Sequence, residues 1–193
     1  MTAISVFCAS SSGHDPQFLA RATALGDYLA RQGITVVYGG ARIGLMGAVA
    51  DGALAAGGRV VGVLPDFLRS REIAHRGLTE LIMVDSMHAR KTRMHALSDG
   101  VIALPGGFGT LEEIFEILTW AQLGLHTQPV GLLNVSGYYD DLLSLLDNMV
   151  ARGLLRPENR GLLIDRTDAA ELLQAMRDYV PAPVTKWLDR DET

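Results

Sequence analysis

The chain has 193 residues, 48% hydrophobic and 20% charged, with 7 Pro spread along it and 21 Gly gathered in short loops. That composition suits one globular domain with a sizeable core and excludes the collagen-like, low-complexity and disordered classes. The formal net charge of −5, from 17 Lys plus Arg against 22 Asp plus Glu, gives no general attraction to nucleic acid or an anionic membrane, so an anionic ligand needs a local basic site.

Apolar or β-branched runs at 4–7, 35–38, 60–64, 81–84, 101–104 and 130–133 read as buried strands. Amphipathic patterns between them predict helices near 16–32, 43–57, 86–98, 109–123 and 138–151. A last run, Leu162-Leu163-Ile164, precedes Thr167, read as the N-cap of a final helix with an acidic first turn. This alternation implies an α/β fold: a doubly wound parallel sheet with helices on both faces, forming one domain over 1–180 with a C-terminal extension over 181–193. The lone cysteine, Cys8, sits at the end of a strand and cannot form an intrachain disulfide, which suits a reducing cytoplasm. Neither a signal peptide nor a membrane-spanning run is expected.

Ligands of such sheets bind beyond the carboxyl ends of the strands, where the strand order reverses. Three post-strand loops are unusual: Ala9-Ser10-Ser11-Ser12-Gly13, the run from Gly39 to Gly47, and Pro105-Gly106-Gly107-Phe108-Gly109-Thr110. The last leaves a strand and enters a helix, so its amides and the helix dipole suit an anion; an ordinary glycine-rich turn is the other reading. Neither a P-loop nor a G-x-G-x-x-G fingerprint is met. In the second loop Gly39, Gly40, Gly44 and Gly47 permit either close approach to a ligand or tight helix-on-sheet packing.

Glu112, Glu113 and Glu116 crowd the first turns of the 109–123 helix, where carboxylates commonly serve as dipole partners, and position alone does not choose among them. Arg90, Lys91 and Arg93 form a basic cluster after the strand at 81–84. If strands 81–84 and 101–104 are neighbours, that cluster lies beside the 105–110 loop and suits a phosphorylated substrate; a solvated helix face is the alternative. His88 and His95 lie two turns apart, too far for one metal, and His75 and His126 read as surface or loop residues. No metal or redox cofactor is expected.

The motifs Pro105-Gly106-Gly107-Phe108-Gly109-Thr110-Leu111-Glu112-Glu113 and Met87-His88-Ala89-Arg90-Lys91-Thr92-Arg93-Met94 together closely resemble those of the Lonely guy family of cytokinin-activating phosphoribohydrolases. Further matching segments, among them Val37-Tyr38-Gly39-Gly40 and Gly137-Tyr138-Tyr139, extend the resemblance over roughly residues 3–180. It implies a Rossmann-like homodimer that hydrolyses the N-glycosidic bond of a nucleoside 5′-monophosphate, an N6-substituted adenine nucleotide or AMP, releasing free base and ribose 5-phosphate. The family's catalytic pair falls on Arg90 and Glu113. Its substrate contacts fall on Glu72, Arg90, Lys91, Gly107, Phe108, Gly109, Thr110, Leu111, Glu112, Glu113 and Thr119, with Ser10, Gly39, Gly40, Gly44 and Met87 as additional loop candidates. Where many members carry a further glycine this chain has Ala9 and Ala41, which would be strained if either position needs a positive φ.

Breaking a ribosyl C–N bond builds positive charge on the sugar, which a carboxylate such as Glu113 stabilises; holding the ribose hydroxyls or orienting water are open alternatives. Arg90 stays protonated and suits an electrostatic clamp on phosphate or base. A second function class is a non-catalytic nucleotide carrier or sensor on the same fold. A decarboxylase would need pyridoxal phosphate on a lysine, with Lys91 as its candidate.

Overall fold

The computed structural model describes residues 1–69 and 74–181. Among the described residues seven parallel strands form one sheet: β1 (Ala3–Phe7), β2 (Thr35–Tyr38), β3 (Val60–Pro65), β4 (Glu80–Val84), β5 (Val101–Ala103), β6 (Val130–Leu133) and β7 (Leu163–Arg166), in the order β4-β3-β2-β1-β5-β6-β7. The helices are α1 (Pro16–Arg31), α2 (Gly44–Ala55), α3 (Asp66–Arg69), α4 (Met87–Ala96), α5 (Phe108–Gln122), α6 (Asp140–Ala151), α7 (Pro157–Arg160) and α8 (Ala169–Arg177).

Side chains alternate across each strand, so the sheet has two apolar faces. Ile4, Val6, Val36 and Tyr38 face α1, α2 and α8, whereas Phe7, Val37, Val61 and Val63 face α4, α5 and α6. The chain winds outward from β1 to β4, returns through α4 to β5 beside β1, and winds outward again to β7. The order therefore reverses between β1 and β5, and the loops after those two strands meet there. Their backbones are joined where the Ala9 N–H donates to Pro105 O at 3.1 Å.

Several expectations need correction. Strands 81–84 and 101–104 are not neighbours, because β3, β2 and β1 lie between them. The basic cluster reaches the 105–110 loop because α4 is itself the crossover that returns the chain to β5. The final helix is capped by Asp168, not Thr167: its carboxylate accepts the Ala170 and Glu171 N–H groups, orphan donors of a first helical turn. His75 and His126 do lie in loops but are largely covered. His75 pairs with Asp51 at 2.9 Å, and His126 stacks edge-on against His95 and bonds to Ile117 O. Residues 182–193 of the expected extension lie outside the described residues.

Candidate active site

A cleft of about 530 Å³ opens at the carboxyl ends of β1 and β5, where the sheet order reverses. The N–H groups of Gly107, Phe108, Gly109 and Thr110 meet no acceptor among the described residues, and Gly107 at the N-cap of α5 has no side chain to cap them. Orphan amides at a helix start, reinforced by its dipole, make a ready seat for an anion. The φ of Gly107 is an ordinary −91°, and a Cβ at Gly107 or Gly109 would stand in open space. What glycine provides here is room above the amides.

The start of α2 differs. Its Leu45 and Met46 N–H groups donate to Ala9 O at 3.1 and 3.3 Å, so the chain itself caps that helix. Gly44, with φ +57°, packs on the backbone of Ser10, and Gly47 packs on the backbone of Arg42. Tight packing thus explains both. Gly40 is likewise packed against Leu64 and Leu81, and neither Gly40 nor Gly44 lines the cleft. Ala9 and Ala41 do line it; neither has a positive φ, so neither is strained.

Arg90, on the first turn of α4, is only 9% exposed, and its guanidinium lies against Gly39: a Cβ there would come within 1.9 Å of Nη2. It stands 3.6 Å from the Glu113 carboxylate and 3.8 Å from Met87 Sδ, while its buried Nε has no partner. Buried donors are rarely left unmatched, so this guanidinium retains capacity for a ligand. Glu113, 7% exposed on α5, faces it. Burial lifts the Glu113 carboxyl from the ordinary 4.5 to about 7, a rise that Arg90 partly offsets. Cys8 lines the same cleft, and burial pushes its thiol up, away from thiolate chemistry.

Of the other sequence candidates, Ser10, Gly39, Met87, Gly107, Phe108, Gly109 and Thr110 line this cleft with Arg90 and Glu113. Lys91 does not: its ammonium bridges Glu112 and Glu116 of α5, and those bonds raise its pKa against the opposing effect of burial. Exposed Glu112 shares that bridge, and Leu111 packs into the core. Thr119 lies on a separate groove between α5 and α6, its hydroxyl donating to Phe115 O at 2.6 Å. Glu72 lies outside the described residues. The sequence reading missed an apolar wall of Ile43, Met46, Leu64 and Leu68. Leu64 ends a strand and Leu68 follows it, so their place at the carboxyl edge was available as a signal.

The family model described as "Possible lysine decarboxylase" matches residues 46–176. A cytokinin riboside 5′-monophosphate phosphoribohydrolase of Arabidopsis thaliana is 47% identical over 178 residues, covering 92% of this chain and 84% of that protein. A second from the same plant is 44% identical, with the same coverage. Among solved structures, the molybdenum cofactor carrier protein of Chlamydomonas reinhardtii matches with TM-score 0.69 and 23% identity, covering 92% of this chain and 96% of that one. The molybdenum cofactor binding protein of Rippkaea orientalis matches at the same TM-score and 24% identity. These two likenesses establish the Rossmann-like fold alone. With the family model over most of its length and relatives well above 40% identity, the chain belongs to the Lonely guy family, that of the cytokinin riboside 5′-monophosphate phosphoribohydrolases.

Proposed function

We propose that the cleft hydrolyses the N-glycosidic bond of N6-substituted adenosine 5′-monophosphates, and of AMP, giving the free base and ribose 5-phosphate. The observation that carries this reading is the meeting of the unpartnered amides of Gly107–Thr110 with the Arg90–Glu113 pair in one cleft. The amides take the 5′-phosphate at the helix start and fix the sugar by its far end, so binding energy there positions the anomeric carbon. Glu113, as carboxylate, stabilises the positive charge that develops on the ribose as the C–N bond breaks. Arg90 partly offsets the burial that favours the protonated form of Glu113, and its guanidinium, which lines the cleft, is placed to bind the nucleotide. The apolar wall of Ile43, Met46, Leu64 and Leu68 offers a surface for the base and its substituent.

Among the described residues no lysine lines the cleft to hold pyridoxal phosphate, and the ammonium of Lys91 is engaged by two carboxylates outside it. We read the protein as a cytoplasmic homodimer. Exposed Phe115 on α5 and Leu145 and Met149 on α6 supply apolar surface for a second copy, and a lone buried cysteine accords with a reducing compartment. No helix among the described residues is long and apolar enough to cross a membrane.

The test incubates purified protein with AMP, isopentenyladenosine monophosphate and the corresponding nucleosides, and follows free base and ribose 5-phosphate. Release from the monophosphates is expected. Binding of monophosphates with no release of base would instead assign the protein to the carriers or sensors.

A further inference from the structure

The loop between β5 and α5 presents amides to the cleft because each of its carbonyls is taken up elsewhere. Leu104 O accepts from Tyr139 Oη at 2.7 Å, Pro105 O from the Ala9 N–H at 3.1 Å, Gly106 O from Tyr138 Oη at 2.7 Å, and Gly107 O from the Leu111 N–H at 3.0 Å. A planar trans peptide holds its C=O and N–H in opposite directions. Fixing Gly106 O on Tyr138 therefore turns the Gly107 N–H away from Tyr138, and Gly107 lines the cleft. The phenol is itself well held: its ring meets Phe18 and Tyr139 edge-on, with centroids 5.6 and 4.9 Å away. It leaves a tight turn in which Ser136 and Gly137 adopt φ +53° and +71°. The peptide it clamps joins two glycines, the residue type with least intrinsic resistance to rotation.

We propose that Tyr138 is a positioning residue for the anion seat: its hydroxyl locks the Gly106–Gly107 peptide so that a donor, and not a carbonyl oxygen, meets the substrate phosphate. This rests on the reading of the cleft as a nucleoside 5′-monophosphate site. Tyr139 makes an equally short bond, but to the carbonyl of Leu104, whose peptide leads into Pro105 and carries no N–H. The two neighbouring hydroxyls thus have separable duties, Tyr138 for the seat and Tyr139 for the fold.

The test compares Tyr138→Phe and Tyr139→Phe with the wild type by titration with inorganic phosphate, by melting, and by steady-state kinetics with isopentenyladenosine monophosphate. Tyr138→Phe keeps the ring packing, and loss of one hydrogen bond is expected to raise the phosphate Kd and to lower kcat/KM for the nucleotide by about 2- to 10-fold. Tyr139→Phe lowers Tm and leaves the phosphate Kd in place. A phosphate Kd unchanged by Tyr138→Phe, or weakened equally by both substitutions, overturns the proposal. A wild type that binds phosphate but releases no base refutes the hydrolase reading, while the phosphate Kd values of the variants still decide the role of Tyr138.

Discussion

Replacing Glu113 by Gln should abolish turnover and make the protein's stability less sensitive to pH. Burial raises the folded-state pKa of this carboxyl from 4.5 to about 7, so between those values the native state binds more protons than the unfolded chain. Stability then falls as pH rises through that window: the contribution of the protonated group is fully present below about 4.5 and lost above about 7. The window spans about 2.5 pH units at about 1.4 kcal/mol each, a cost of about 3 kcal/mol for ionising Glu113 in place. Gln does not titrate, so the variant avoids that cost. Leaving Arg90 opposite a neutral amide adds an offset of its own, but one that does not change with pH and cancels when two pH values are compared. For a chain of this size, the Tm of Glu113→Gln minus that of the wild type should grow by about 6–12 °C between pH 4.5 and pH 8. Calorimetric melts of both proteins at intervals across that range supply the comparison. A difference in Tm that stays flat, or that shrinks as pH rises, would refute the claim that Glu113 is ionised at a cost in its folded site.

The same carboxyl should govern the rate. kcat/KM for a monophosphate is expected to rise through a midpoint near pH 7, and Arg90→Ala, by removing the charge that favours ionisation, should move the Glu113 midpoint upward in an NMR titration; a downward move contradicts the assigned electrostatics. Gly39→Ala places a methyl where the Arg90 guanidinium lies and should lower kcat/KM by about 100-fold. In an Arg90→Ala background the same substitution should cost little, and an additive loss in a double-mutant cycle would show that Gly39 acts elsewhere. Gly107→Ala meets open space in the protein alone, so Tm should hold while the KM for monophosphates rises by about tenfold; equal KM values would mean that phosphate does not approach Gly107.

Much of the architecture was legible from residue patterning. β-branched runs such as Thr35–Tyr38 and Val60–Pro65 have little use except as strands buried on both faces, and the helical segments between them forced parallel pairing. Strand order was not legible at β4, because apolar runs record which segments are buried and not which neighbour each one pairs with. The four-residue helices α3 and α7 are too short to leave a periodic signal.

At the site, the basic cluster after β4 read as one face, yet successive helical residues are rotated by about 100°. Arg90 consequently enters the cleft, Lys91 turns to Glu112 and Glu116, and Arg93 is left exposed. The three glutamates of α5 were indistinguishable by position, and only the family resemblance singled out Glu113. In the fold they differ sharply: Glu113 is buried against Arg90, while Glu112 and Glu116 hold Lys91. The clamp of Tyr138 on Gly106 spans 32 residues of sequence and joins two different loops, which no local pattern records.

The sharpest separation between this mechanism and its rivals comes from comparing kcat/KM for isopentenyladenosine monophosphate with kcat/KM for isopentenyladenosine, in the wild type and in Glu113→Gln. If the amides at the start of α5 use phosphate binding to position the sugar for Glu113, the monophosphate should be preferred by about 1000-fold or more, because truncating a remote binding group costs turnover as well as affinity. Glu113→Gln should then still bind the monophosphate but release almost no base. A preference near unity would contradict the role given to the phosphate seat, and a Glu113→Gln variant that turns over at the wild-type rate would contradict the role given to the carboxylate.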